Sequence, residues 1–264
     1  MSRFSFNQIT AKLWDLPDLV AGCVEAGVDK VALWREPVAE HGLERSARLV
    51  RDAGLSVTTL CRSGFFQLPG WYDDNRRAID EAVALDTSVL VLVSGGLPEG
   101  SKDIAGARLH VADAIGQLAP YAAGAGVTLA IEPLHPMYAA DRCVINTWDQ
   151  AMAIAAQHPA GQVGVTVDTY HLWWDDTVLE KIARAGERIA IYQLADWITP
   201  LPEGVLTGRG LPGDGCVDMR AFHEAVEKAG YTGPIEVEVM NAGLWERPGR
   251  EVLDATLTAY RSVF

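Results

Sequence analysis

Eight short β-rich runs, separated by helix-patterned segments along the whole chain, constrain this sequence more than any other feature. The runs are residues 3–8, 30–34, 56–61, 88–94, 127–132, 163–168, 188–194 and 234–239, flanked by Gly, Pro, Asp or Asn. Between them apolar residues recur at helical spacing, and Ala26-Gly27, Ala53-Gly54 and Ala229-Gly230 close helical segments as C-caps do. Parallel strands need crossover helices, and those helices cover the outside of the sheet. Eight such units with no break in composition predict an α/β chain, a single (β/α)8 TIM barrel forming one domain over residues 1–264. That length matches the roughly 250 residues one such barrel needs. A doubly wound open sheet is disfavoured, because no GxGxxG turn follows the first strand.

The phase of the strands then points to a site. In residues 127–132, Val127, Leu129 and Ile131 alternate with Thr128, Ala130 and Glu132; residues 163–168 and 235–239 repeat the pattern. Successive side chains face opposite sides, so the β-branched set packs on helices while the small or polar set lines the interior. Each interior set ends in a carboxylate at the C-terminal end of its strand, where this architecture builds its sites. Glu132, Asp168 and Glu238 are therefore expected at the tops of the fifth, sixth and eighth runs, with Gln193 of the seventh at the same level. A single strand-end carboxylate is ordinarily a solvated loop residue or a helix N-cap. Three packed together would repel and be driven to protonate, a conflict that one divalent metal resolves. Glu236, facing inward below Glu238, reads as an interior group paired with a buried cation.

Composition narrows the function classes. The chain is 49% hydrophobic and 22% charged, enough apolar material for a large core. Its 22 basic and 35 acidic residues give a net charge of −13 with no basic cluster, which excludes nucleic acid and anionic membranes as partners. The start of the chain has no apolar h-region and no stretch is long enough to span a bilayer, so a cytoplasmic protein is expected. Cys23, Cys61, Cys143 and Cys216 lie far apart without a CxxC pair and read as reduced thiols.

Four strand-end motifs also carry a resemblance to a known family. Ile131-Glu132-Pro133-Leu134, Val167-Asp168-Thr169-Tyr170-His171, Gln193-Leu194-Ala195-Asp196 and Val237-Glu238-Val239 look like the corresponding motifs of the xylose-isomerase-like TIM barrels. That superfamily includes sugar isomerases and epimerases, inosose isomerases and dehydratases, and the endonuclease IV group. Val144-Ile145-Asn146-Thr147, and Val205-Leu206-Thr207 leading to Pro212-Gly213-Asp214-Gly215, are similar to the inosose-isomerase-like branch. The resemblance implies one metal held by a Glu, an Asp, a His and a Glu, with the two Glu flanking the substrate. By motif these fall on Glu132, Asp168, Gln193 and Glu238, so the chain departs from the pattern where Gln193 replaces His. An all-oxygen set suits Mn²⁺ ahead of Mg²⁺, Co²⁺ or Zn²⁺.

Around the mouth, the resemblance gives His171 a hydrogen bond to substrate or to a metal-bound water. Arg209, in a Gly-rich loop, can grip hydroxyls or a carboxylate. Trp34 and Arg62, ending the second and third runs, are expected to wall the pocket, with His135 beside them as a further substrate contact. Trp173-Trp174 can do the same or pack as loop core, and His41, His110, His158 and His223 read as surface residues.

The expected activity is a metal-dependent isomerase or epimerase of an unphosphorylated keto sugar or polyol ketone. It would work through an enediolate, with Glu132 and Glu238 moving the proton. A dehydratase or lyase on the same barrel is the alternative, which Gln193 favours. A nuclease is disfavoured by six His and the acidic charge, and a barrel that only binds ligand would be expected to lack some of the three carboxylates. The expected partner is a small carbohydrate or polyol, and a homo-oligomer stays open.

Overall fold

A computed structural model describes residues 3–264; Met1 and Ser2, part of the amino-terminal stretch considered above, lie outside the described residues. The strands are β1 (Phe4–Asn7), β2 (Lys30–Trp34), β3 (Ser56–Gly64), β4 (Val89–Val93), β5 (Thr128–Ile131), β6 (Val163–Asp168), β7 (Ile189–Leu194), β8 (Asp196–Trp197), β9 (Arg209–Gly210) and β10 (Ile235–Val237). Eight of them close a parallel barrel in the order β1-β10-β7-β6-β5-β4-β3-β2, so the chain is a (β/α)8 TIM barrel. Closure runs through β1, which pairs with β10 at Phe4↔Ile235 and Phe6↔Val237 and with β2 at Phe6↔Val31. All eight expected runs are strands. β3 continues past Cys61 to Gly64, and β8 and β9 form an unforeseen antiparallel pair, Trp197 opposite Arg209.

Local chemistry sets where the helices start. Asp15, Thr147 and Asp218 cap theirs, each side chain accepting an N–H three residues on, from Asp18, Gln150 and Ala221. Apolar side chains then separate into two clusters. A large one lies between strands and helices and includes Leu19, Ile79, Leu118, Phe222 and Leu253. A small one inside the barrel joins Trp34, Cys61, Val91 and Ile191. Among the described residues no helix is long and apolar enough to cross a membrane.

One irregularity shapes the interior. The β2–β3 register slips between Val31↔Val57 and Leu33↔Leu60, so β3 carries one extra residue there. Such a bulge lets neighbouring side chains turn to the same side. Thr58 and Thr59 both reach one carboxylate oxygen, Glu236 Oε2, at 3.3 and 2.9 Å.

Candidate active site

The carboxylates converge as the strand phase requires. Asp168 ends β6, Glu132 and Glu238 stand one residue past β5 and β10, and Gln193 lies opposite Asp168 in the β6–β7 register; all four are buried. Asp168 Oδ1 accepts the Tyr170 N–H at 2.8 Å, while its Oδ2 has no hydrogen-bond partner. Gln193 donates through Nε2 to Glu236 Oε1 at 2.8 Å, leaving its own Oε1 without a partner. The orientation is fixed, because Glu236 Oε1 also accepts from Asn7 at 2.7 Å and so calls for a donor from Gln193. Two buried oxygens are thus left unbonded, a costly arrangement that a hard cation would satisfy.

Arg209 enters from β9. Its Nη1 lies 3.2 Å from Glu238 Oε2 and 3.5 Å from Asp168 Oδ2, and its guanidinium sits 4.7 Å above the Tyr170 ring. Burial opposes this charge, but Asp168, Glu238 and Glu132 more than offset it. The three carboxylates still exceed the one guanidinium by two charges, the charge of a divalent ion. Burial, reinforced by Glu238 and Asp168, holds the Glu132 carboxyl well above its usual range. Burial raises Glu238 and Asp168 as well, with Arg209 pulling both back.

His171 Nε2 faces Asp168 Oδ2 at 3.7 Å and Glu132 Oε1 at 3.9 Å, and ligand atoms of these three residues lie within 4.8 Å of one another, a geometry that could hold a metal ion. Its two ring nitrogens both face donors, Nδ1 the His135 N–H at 3.2 Å and Nε2 the Arg209 Nη2 at 3.3 Å. Burial, and then Arg209, hold His171 well below the usual imidazole range, so it is neutral.

Trp34, Arg62, His171 and Arg209 line the cavity together with Glu132 and Glu238. The His135 ring does not: it stacks on Trp197 at 4.8 Å and meets Trp174 edge-on. Trp173 packs on Trp197 as loop core, while Trp174 is exposed, and neither lines the pocket. Of the other histidines, His223 is wedged between Tyr192 and Phe264. Glu236 departs from what the sequence led us to expect. Among the described residues it pairs with no cation; Asn7, Gln193, Thr58 and Thr59 surround it with neutral donors. Both loop motifs prove to be clamps. Asn146 ties Leu134 and Cys143 carbonyls together, and Asp196 accepts N–H groups from Trp197, Gly213 and Val217. All four cysteines are free.

Sequence reasoning missed Asn7, Tyr138 and Arg142. Asn7 carried a signal of the same kind as the carboxylates, a polar residue closing a strand; it donates to Glu238 at 3.1 Å and accepts from the Trp34 indole at 2.9 Å. Tyr138 and Arg142 line the cavity from the loop after β5, where no periodicity applies.

Known proteins share this architecture. The xylose isomerase-like TIM barrel model matches residues 20–262, and the chain belongs to that family. It is similar to a 3-dehydroshikimate dehydratase of Pseudomonas aeruginosa, 30% identical over 89% of this chain and 38% of the relative. An inosose isomerase of Bacillus subtilis is 28% identical over 53% of this chain and 50% of the relative. The chain thus spans about half or less of the length of these curated relatives. The crystal structure of protein SMc04130 from Sinorhizobium meliloti 1021 superposes with a TM-score of 0.95 at 44% identity, covering 98% of both chains.

Proposed function

We propose that this protein is a divalent-metal-dependent isomerase or epimerase of a small keto sugar or polyol ketone. The observation that carries the reading is the pair of buried orphan oxygens, Asp168 Oδ2 and Gln193 Oε1, beside Glu132 and Glu238. Glu132, Asp168, Gln193 and Glu238 would hold the ion, with Mn²⁺ the best match to four oxygen donors. When bound, the metal supplies Lewis-acid polarisation of a carbonyl and its neighbouring hydroxyl.

The chain's own groups do the rest. β5 and β10 are separated by β6 and β7 around the barrel, so Glu132 and Glu238 approach the substrate from different sides. One carboxylate takes the proton from the carbon next to the carbonyl, and the other returns it on the neighbouring carbon or the opposite face. The Arg209 guanidinium, buttressed by His171 beside it, donates to oxygens that gain charge in the enediolate. Trp34 supplies an apolar wall that limits water.

The same first step followed by loss of a β-hydroxyl would make the protein a dehydratase. The similarity to the Pseudomonas dehydratase over most of this chain favours that second reading. Incubating candidate ketoses and inososes with the Mn²⁺-loaded protein in D2O separates the two. Deuterium at the α-carbon of a recovered isomer supports the first, an enone product the second, and no exchange with any ketone refutes both.

A further inference from the structure

The arginines of this protein fall into two groups. Most of those that are partly buried are tied down by hydrogen bonds. Arg35 makes four, to Asp74 and Glu81, while Arg108 and Arg188 bind main-chain carbonyls. Arg62 and Arg142 differ. Both line the rim of the active-site cavity, and among the described residues neither guanidinium makes a hydrogen bond to the protein. Each has one loose ion pair, Arg62 to Glu36 at 3.7 Å and Arg142 to Asp141 at 3.9 Å, and those acids are 60% and 67% exposed. Pairs of that kind contribute almost nothing and leave the donors free.

Arg62 is nevertheless held in place. Its guanidinium lies 4.5 Å over the Phe65 ring and 5.6 Å over Trp34. Phe65 adopts a left-handed φ of 46°, a strained state for a bulky residue. Before it, Gly64 has a φ of 103°, and a Cβ there would run into the Val93 carbonyl. Asn75 locks this corner from both sides, accepting the Gly64 N–H and donating to the Gly64 carbonyl, each at 2.8 Å. Backbone strain kept this way is a mark of function. Here it builds a platform for a cation with unused donors.

Tyr138 lines the same cavity, 6% exposed, with its ring 5.9 Å from that of His171 and its hydroxyl without a hydrogen-bond partner. In a chain of net charge −13, two uncommitted guanidinium groups at the mouth of an acidic cavity are a local reversal of sign. Guanidinium forks match the two oxygens of a carboxylate.

We propose that the substrate carries a carboxylate, bound at the rim by Arg62 and Arg142, while its hydroxyketone end reaches down past Tyr138 to Glu132 and Glu238. The inference deepens the proposed proton-transfer function and rests on it for the placement of the ketone. It makes the substrate a polyhydroxy keto acid rather than a neutral ketose.

The test is a set of acid and neutral pairs: 3-dehydroshikimate with its methyl ester, 5-ketogluconate with its amide, and fructose 6-phosphate with fructose as the phosphate arm. Binding to the Mn²⁺-loaded protein and α-deuterium exchange are scored separately. A carboxylate should bind at least about tenfold tighter than its neutral partner in one pair or more. Arg62→Gln and Arg142→Gln should each raise its KM by about tenfold or more with kcat nearly unchanged, and Arg62→Lys should recover part of the loss. Absence of acid preference in every carboxylate pair overturns the proposal, as does preference for the phosphate alone. An unchanged KM for the acids in both glutamine variants, with exchange intact, overturns it while leaving the proton-transfer reading intact. An acid that binds through the arginines but never exchanges does the reverse.

Discussion

Glu236 on β10 and Glu238 just past its end stand two residues apart, facing the same interior, and they live in opposite worlds. Around Glu236 the barrel supplies four neutral donors from β1, β3 and β7, and every oxygen is used. One layer up, Glu238 faces a guanidinium shared with Asp168, and oxygens of Asp168 and Gln193 have no partner. The lower layer is complete as folded, while the upper layer is built to receive something. Burial of a carboxylate does not by itself define a site. The unfilled valence around it does.

The largest expected effect lies in the upper layer. Glu238→Gln, and Glu132→Gln likewise, should lower α-proton exchange by the ~10²–10⁴ typical of losing a general base, with only modest loss of metal. Near-normal exchange in both variants would move the base to His171. Asp168→Asn should act instead through the ion: titrating Mn²⁺ into this variant is expected to restore part of its activity, and no recovery at saturating metal would break the distinction between base and ligand. Glu236→Met probes the lower layer, where loss of the acceptor that orients Gln193 should cost about 10–100-fold in metal affinity. If it matched Glu238→Gln in exchange at saturating Mn²⁺, the two layers would not be separate.

The buried carboxylates also have a pH signature. In the metal-free fold Glu132, Asp168 and Glu238 are all raised, chiefly by burial, and so is Glu236, which its neutral donors pull back. Between the ordinary carboxylate range and those raised values, the folded protein keeps protons that the unfolded chain has released. Its stability is therefore full at low pH within that window and is lost as pH rises through the raised values. Above the range in which the unfolded chain's histidines titrate, the metal-free melting temperature should fall by at least about 2–4 °C from pH 7 to pH 8, and Mn²⁺ should flatten the profile. A flat profile without metal would mean the three carboxylates ionise together unaided. The smallest effect is expected from Gln193→His, which should shift metal preference towards Zn²⁺ or Co²⁺ with little change in fold; unchanged selectivity would remove Gln193 from the ligand set.

What could be read from the sequence follows from what repeats. Strand periodicity is local, so alternation along four strands is enough to put Glu132, Asp168, Gln193 and Glu238 at one level. Arg209 was visible as a loop arginine, but its contact with Asp168 depends on the β8–β9 pair, which two-residue strands do not announce. The neutral surroundings of Glu236 depend on a bulge in β3 and on β1 closing against β10, both matters of tertiary register. Tyr138 and Arg142 come from a loop shaped by the Asn146 clamp and by main-chain bonds of Ala140 and Val144 to Leu97 and Gly95, contacts distant in sequence.

The anchoring of Arg209 bears on how such a barrel diversifies. Its N–H is held by the Met240 carbonyl at 3.2 Å, and its carbonyl accepts from Asn241 at 2.7 Å, so its place is set by the turn that follows Glu238. Residues 198–208, which lead into it and carry Leu206 to the cavity wall, reach the guanidinium indirectly, through the Val205 carbonyl that accepts from the hydroxyl of Tyr170 beneath it. Insertions, deletions and substitutions in that segment that spare Val205 can remodel the entrance while the charge balance at the floor is inherited unchanged. Selection for a new substrate has, in that stretch, a region it can edit without first losing the chemistry.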